Sequence, residues 1–213
     1  RSGGRANSLN GDGKLDQKGP GNDPSDIYTY DPRNPAMSLG GRSGCIDGVT
    51  PMGVYDQTPQ EFKNGMLVYT SEILTGDLLV IGNVEVVLFV ATSAEDTDFV
   101  ARLTDVFPDG RSQNIVDGII RSRFRNSISC PMPVGAGEVC QYNICLGATA
   151  YLFKAGHRIR LDITSSSFPA YDRNSNSGKL LSQITPALWQ VATQIVFHNT
   201  MYPSRISLPI VPD

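Results

Sequence analysis

Along this chain the hydrophobic positions fall on every second residue, and they do so only in its later two thirds. The clearest case lies at 157–164. Ile159, Leu161 and Ile163 point one way, and Arg158, Arg160 and Asp162 point the other. A period of two is the period of a strand, so the apolar set is expected in a core and the charged set in water. Phe99, Ala101 and Leu103 alternate likewise with Val100, Arg102 and Thr104. Ile120, Ser122 and Phe124 alternate with Arg121, Arg123 and Arg125, which predicts a basic stripe on one strand face. Such a stripe either pairs with acids on neighbouring strands or grips a carboxylate. Residues 66–73, 192–198 and 205–210 read as further strands. The run VEVVLFVA within 77–92 reads as a strand buried on both faces.

Turns separate these runs. Pro108-Asp109-Gly110 predicts a hairpin, and Gly135-Ala136-Gly137 a second one. Asn174 to Gly178 reads as a polar loop, and one short helix is expected near 180–190. Many strands without intervening helices mean a β-sandwich or jelly roll. Residues 1–64 differ. NGDG (10–13), GPGNDP (19–24), DPRNP (31–35) and GGRSG (40–44) are turn signals, and strand material is scarce outside 27–30. This stretch is expected to be an extended arm wrapping a sheet, with 65–213 forming the sandwich of one domain.

Composition narrows the function classes. Hydrophobic residues make up 40% of the chain, enough for a core, and 21 glycines with 14 prolines suit turn-linked strands. Eighteen basic against 21 acidic residues give a net charge of -3. Nucleic acid is therefore not expected as a partner, since phosphate binding wants a basic excess. No apolar run approaches the roughly 20 residues that span a bilayer, so no membrane partner is expected, and no signal peptide is visible. The chain opens on Arg1 rather than Met, as a piece of a longer protein would. Cys45, Cys130, Cys140 and Cys145 form no CxxC pair and read as thiols. A disulfide from Cys130 to Cys140 or Cys145 stays open, and so does the compartment.

Chemistry is hard to find. The nucleophile elbow GxSxG is absent. Its nearest approach, Gly41-Arg42-Ser43-Gly44-Cys45, reads as a flexible loop. His157 and His198 sit at strand ends and read as hydrogen-bonded structural residues. Ser8-x-Asn10-x-Asp12-Gly13 begins like a calcium loop, but Gly19 stands where a bidentate Glu is required, so a polar turn is expected. Glu95-Asp96-Thr97-Asp98 also reads as a turn. Its alternative is a structural Ca²⁺ held by Asp96 and Asp98, and no other cofactor is implied.

Several longer stretches point further. They are ANSLNGDGKL (6–15), YDPRNP (30–35), VYTSEIL (68–74), DTDFVARLTDVFPDGRS (96–112), DGIIRSRFR (117–125), GHRIRLDITSSSFPAYDRNSNSG (156–178) and HNTMYPSRISLPIVP (198–212). Together and in this order they resemble the C-terminal domain of the cocaine esterase and X-Pro dipeptidyl-peptidase family of serine hydrolases, which includes α-amino acid ester hydrolases and glutaryl acylases. The resemblance implies an all-β, galactose-binding-like jelly-roll sandwich. It would pack on its own N-terminal α/β-hydrolase and cap domains, which carry the catalytic Ser, Asp and His. No residue here matches a family catalytic position. The irregular segment 42–56 would lie nearest the substrate cleft or the domain interface, with Cys45, Ile46, Asp47, Val49, Met52 and Tyr55 as its contacts. A bared docking face would favour a homo-oligomer. The competing expectation is a carbohydrate-binding jelly-roll module, for which Trp189 is the single Trp and Tyr151, Tyr171 and Tyr202 are scattered.

Overall fold

The structure, a computed structural model, describes residues 1–42, 46 and 48–212. Among these, two antiparallel sheets face each other as a β-sandwich. One sheet runs in the order β1 (Asp26–Tyr30), β8 (Ala192–Phe197), β3 (Leu78–Thr92), β6 (Cys140–Phe153), with β9 (Arg205–Ser207) also pairing β3. The other runs β2 (Met66–Thr70), β7 (Arg158–Thr164), β4 (Asp98–Val106), β5 (Ser112–Arg121). The hairpin at Pro108-Asp109-Gly110 forms as expected, with Phe107 N–H donating to Arg111 C=O and Gly110 N–H to Phe107 C=O.

The period-two residues supply the core. Val84, Val86, Leu88 and Val90 of β3 and Tyr142, Ile144 and Leu146 of β6 face Phe99, Ala101 and Leu103 of β4 and Leu161 and Ile163 of β7. Phe99 and Tyr142 meet across the layers with ring centroids 4.6 Å apart. β5 and β6 come so close that a Cβ on Gly118 would lie 2.4 Å from the Cys145 carbonyl oxygen, so only glycine fits there.

Several expectations need correction. β3 is not buried on both faces: Glu85 is exposed and Val87 and Phe89 half-buried between the buried Val84, Val86, Leu88 and Val90, so it alternates. The second hairpin does not exist, because β5 and β6 lie in opposite sheets; the turn at Gly135, where Glu138 N–H donates to Gly135 C=O, feeds the crossover. The arginine stripe breaks as well, since β5 ends at Arg121 and Ser122–Phe124 form a 3-10 turn. Arg121 instead grips Asp98, Arg123 grips Asp96, and Arg125 donates to the Ser122 and Met132 carbonyls.

The largest correction concerns the charged face of β7. Arg160 and Asp162 are buried, as is Arg102 beside them on β4. The arm lies over this face. Ala36 N–H donates to Ser166 Oγ, Ser38 N–H to Phe168 C=O, and Gln57 N–H to Ser112 C=O. The short helix α1 (Thr58–Glu61) then drops Glu61 onto Arg160 as a buried ion pair. Arg160 Nε also donates to Thr70 Oγ1 at 2.9 Å. Neither Asp162 carboxyl oxygen has a hydrogen-bond partner among the described residues. Burial, reinforced by the Glu61 charge, lifts its carboxyl well above the usual range. Period two identifies the face of a strand; it does not say what will cover that face.

The loop 174–178 is polar, as expected, yet buried. Asn174 donates to Asp96 and Asp98, and Tyr30 OH donates to the Asn174 carbonyl. Two 3-10 turns, Leu181–Gln183 and Pro186–Leu188, stand where a short helix was expected.

Candidate functional site

The segment singled out in the arm folds into a loop with a fixed root and a bare tip. Gly41 and Gly53 close the root with reciprocal hydrogen bonds of 2.7 and 3.0 Å. Gly40 sits at φ +76°, and a Cβ there would lie 2.5 Å from the Gly53 carbonyl oxygen. The chain can turn there only because the residue is glycine. Arg42 then spans the open side of the sandwich: its Nη2 donates to Asp117 C=O of β5 at 3.0 Å and to Leu146 C=O of β6 at 2.8 Å. On the return, Asn114 Oδ1 accepts from Tyr55 N–H at 2.7 Å, and its Nδ2 donates to the Gly53 carbonyl at 3.1 Å.

Between these anchors the described apolar side chains face outward, while Thr50 is buried. Ile46, Val49, Met52 and Val54 are 60, 54, 50 and 63% exposed, and Tyr55 is 39% exposed. Clustered apolar exposure of this kind marks an interface. Burying one such side chain is worth about 1.5–3 kcal/mol. Of the six candidate contacts, Ile46, Val49, Met52 and Tyr55 are thus brought to one loop, and Val54 joins them. Cys45 and Asp47 lie outside the described residues.

The other candidates are occupied. Asp98 accepts from Arg121 Nε and Nη2 at 2.8 and 3.0 Å. Asp96 accepts from Arg123 Nε and Ser122 Oγ, both at 2.8 Å. With Asn174 donating to both, a cation at Asp96 and Asp98 would have to displace arginines. No group of three or more His, Cys, Asp or Glu suited to a metal occurs among the described residues. The start of the arm is a polar turn, Asp12 accepting from Gly3 and Arg5 N–H groups. Cys130, Cys140 and Cys145 are free thiols, so the bridge left open from sequence is not made. Trp189 offers no open platform, because the Arg173 guanidinium lies over its ring at 4.4 Å.

Both histidines meet a carboxylate. His157 Nδ1 lies 2.9 Å from Asp105, which also accepts from Tyr151 OH, and the Phe107 ring packs on the imidazole. No hydroxyl or thiol nucleophile is hydrogen-bonded to it among the described residues. His198 Nε2 lies 2.8 Å from Asp26, where Ser2 Oγ, Tyr69 OH and Ala6 N–H also converge at 2.6, 2.8 and 3.0 Å. Ser, His and Asp together invite comparison with a catalytic triad, and the geometry rejects it. A triad histidine turns one nitrogen to the serine and the other to the carboxylate. Here the same Nε2 faces Asp26 and, at 3.4 Å, Ser2, while Nδ1 has no partner among the described residues. Ser2 gives its proton directly to Asp26. Burial alone would raise the Asp26 carboxyl, but the hydrogen bonds from His198, Ser2, Ala6 and Tyr69 together hold it below its ordinary value. This is a clip that pins the arm to β1 and β8. Sequence reasoning missed its hub because Asp26 opens a strand-like stretch and has no motif.

A hydrolase relative without hydrolytic machinery of its own is what the comparisons describe. Residues 2–207 match the model of the X-Pro dipeptidyl-peptidase C-terminal non-catalytic domain. The chain belongs to that family. The chain is 40% identical over 208 residues to the cocaine esterase of Rhodococcus sp. (strain MB1 Bresler), covering 98% of the chain and 36% of the esterase. It is similar in fold to an aminopeptidase from the marine sediment archaeon Thaumarchaeota archaeon (TM-score 0.85, 28% identity, 98% of this chain, 36% of that one). It is likewise similar to an α-amino acid ester hydrolase (TM-score 0.82, 27% identity, 99% of this chain, 36% of that one). The domain therefore spans little more than a third of each of these relatives. No helix among its described residues is long and apolar enough to cross a membrane.

Proposed function

We propose that this domain works as the supporting C-terminal part of a serine hydrolase. It docks on the α/β-hydrolase and cap domains of the same protein, stabilises the former, and walls part of the substrate cleft with the loop at 42–56. The whole protein then cleaves an ester or amide through an acyl-serine intermediate, with every reacting group in the hydrolase domain. The observation that carries this reading is the loop itself, an apolar tip held on a hydrogen-bonded root. A loop that must meet a second domain needs both, a surface to bury and a base that sets its position. The esterase and aminopeptidase relatives support the reaction class, since both act on acyl bonds.

Hydrogen exchange compared between this chain alone and the chain joined to a preceding hydrolase domain tests the docking. Amides over 48–55 are expected to slow on joining, and unchanged exchange there defeats the proposal. The isolated chain should not turn over an activated ester such as p-nitrophenyl acetate. Turnover abolished by Ser2→Ala or His198→Ala would overturn the non-catalytic assignment. Isolated, the same tip favours self-association, which light scattering across concentration would register.

A further inference from the structure

The chain contains two Asn-Gly steps, Asn10-Gly11 and Asn64-Gly65, and the fold holds them in opposite ways. Such a step can react with itself. Glycine has no Cβ to keep its nitrogen away from the carbonyl carbon of the asparagine side chain. Whether the nitrogen reaches that carbon depends on what else holds it, since a backbone N–H engaged in a hydrogen bond is not free to turn. Asn10 and Asn64 are both exposed, so access to water does not separate them.

At the first step the backbone is engaged. Gly11 N–H donates to the Ser8 carbonyl at 2.9 Å, and Asp12 N–H to the Arg5 carbonyl at 3.2 Å. A Cβ on Gly11 would lie 2.0 Å from the Arg5 carbonyl oxygen, so this turn is packed tight. At the second step Gly65 is held through its carbonyl, which accepts from Thr164 Oγ1 at 2.8 Å. Its N–H donates to no group among the described residues. A Cβ on Gly65 would meet nothing nearer than the Thr29 carbonyl oxygen at 3.4 Å. Asn64 and Gly65 line an open groove of about 750 Å³ beside β1. Their place in the chain matters. Glu61, in its buried pair with Arg160, lies just upstream, and Met66 pairs with Thr164 to open β2 just downstream.

We propose that Asn64-Gly65 is a site of spontaneous modification, at which the asparagine becomes isoaspartate or aspartate and the link between α1 and β2 loosens. The Gly65 nitrogen gives its proton to hydroxide and bonds to Asn64 Cγ. The Cγ–Nδ2 bond breaks, and the departing nitrogen takes a proton from water, leaving as ammonia and regenerating the hydroxide. The cyclic imide then adds water. Opening at the side-chain carbonyl gives aspartate. Opening at the backbone carbonyl gives isoaspartate, whose main chain runs through the side chain and is longer by a methylene. Water is the only reagent consumed, and nothing is oxidised or reduced. Either product sets a new carboxylate in the groove, and isoaspartate also adds slack between the helix that carries Glu61 and the strand that follows. The site is separate from the loop at 42–56 and stands whether or not the docking proposal does.

Incubation of this chain at pH 9 and 37 °C, followed by peptide mass spectrometry, reads the conversion at each asparagine. In the folded chain Asn64 should convert at least tenfold faster than Asn10. In urea, where neither nitrogen is held, the two rates should agree within threefold. Gly65→Ala, which the groove has room for, should slow conversion at Asn64 at least fivefold and leave the melting temperature in place. The isoaspartyl form, separated by ion exchange, should show faster amide exchange over 58–62 than the unmodified chain. Asn10 keeping pace with Asn64 in the folded chain, Asn64 converting only in urea, full-rate conversion in Gly65→Ala, or unchanged exchange over 58–62 would each overturn the proposal.

Discussion

Replacing Glu61 by Gln tests the buried ion pair among the contacts that hold the arm to the second sheet. The Glu61 side chain is fully buried, and that of Arg160 is 8% exposed. Neither end of the pair can therefore fall back on solvent when the other is neutralised. Breaking a buried pair from one side costs about 3–5 kcal/mol, most of it the desolvation of the charge left behind. Against a typical total stability of about 5–15 kcal/mol, that is a large fraction. Glu61→Leu combined with Arg160→Met removes both charges at similar volume, and should recover at least half of the single-mutant loss. Urea unfolding at pH 7, followed by circular dichroism, reads the difference as a lowered midpoint at constant m. A fall in m for Glu61→Gln would show the arm leaving before the sheets unfold. The reasoning fails if Glu61→Gln costs less than about 1 kcal/mol, the range of exposed pairs, or if the double variant is no more stable than the singles.

Other expectations follow from the same contacts. Asp26 is held below its ordinary value in the folded chain, against about 3.9 when unfolded, so its contribution is complete above that pH and lost as pH falls through the folded value. Asp26→Asn should thus cost about 2–4 kcal/mol at neutral pH and less near pH 3, and a pH-independent difference in thermal melts would refute the clip. Gly40→Ala should destabilise by about 1–3 kcal/mol, because it places a Cβ at positive φ and against the Gly53 carbonyl; unchanged amide exchange at Gly53 and Tyr55 would contradict this. Iodoacetamide should label Cys130 and Cys145 in the native chain, and Cys140 only after unfolding, as mass spectrometry of the peptides would record.

The sandwich was legible because strand alternation is a local property. Phe99 to Leu103 and Ile159 to Ile163 each declare one apolar face, and those faces became the core; Val84 to Val90 hid its alternation, because Val87 and Phe89 on its outer face are apolar too. The arm was legible for the opposite reason, since turn signals crowd a stretch with little to bury. What stayed hidden depends on partners distant in sequence. Arg160 and Asp162 looked like a wet face because their cover comes from a helix about a hundred residues earlier. The stripe at Arg121, Arg123 and Arg125 looked continuous because alternation cannot register that the strand stops where Asp96 and Asp98 offer better partners. The apolar character of the loop at 42–56 was readable in Ile46, Val49 and Met52. Its rigid root was not, because it rests on Arg42 reaching two carbonyls in different sheets.

That reach has a second consequence. β5 is the last strand of its sheet, and β6 the last of the other. A terminal strand carries a row of backbone amides and carbonyls that will accept any passing extended segment. Along β5 the arm takes those places first: Gln113 bridges to Asp56, Asn114 N–H donates to Tyr55 C=O, and the Asp117 carbonyl is filled by Arg42. A chain nicked within the loop and released from Arg42 would keep its core but uncover that row. It would then be a domain that still folds and has gained the means to polymerise.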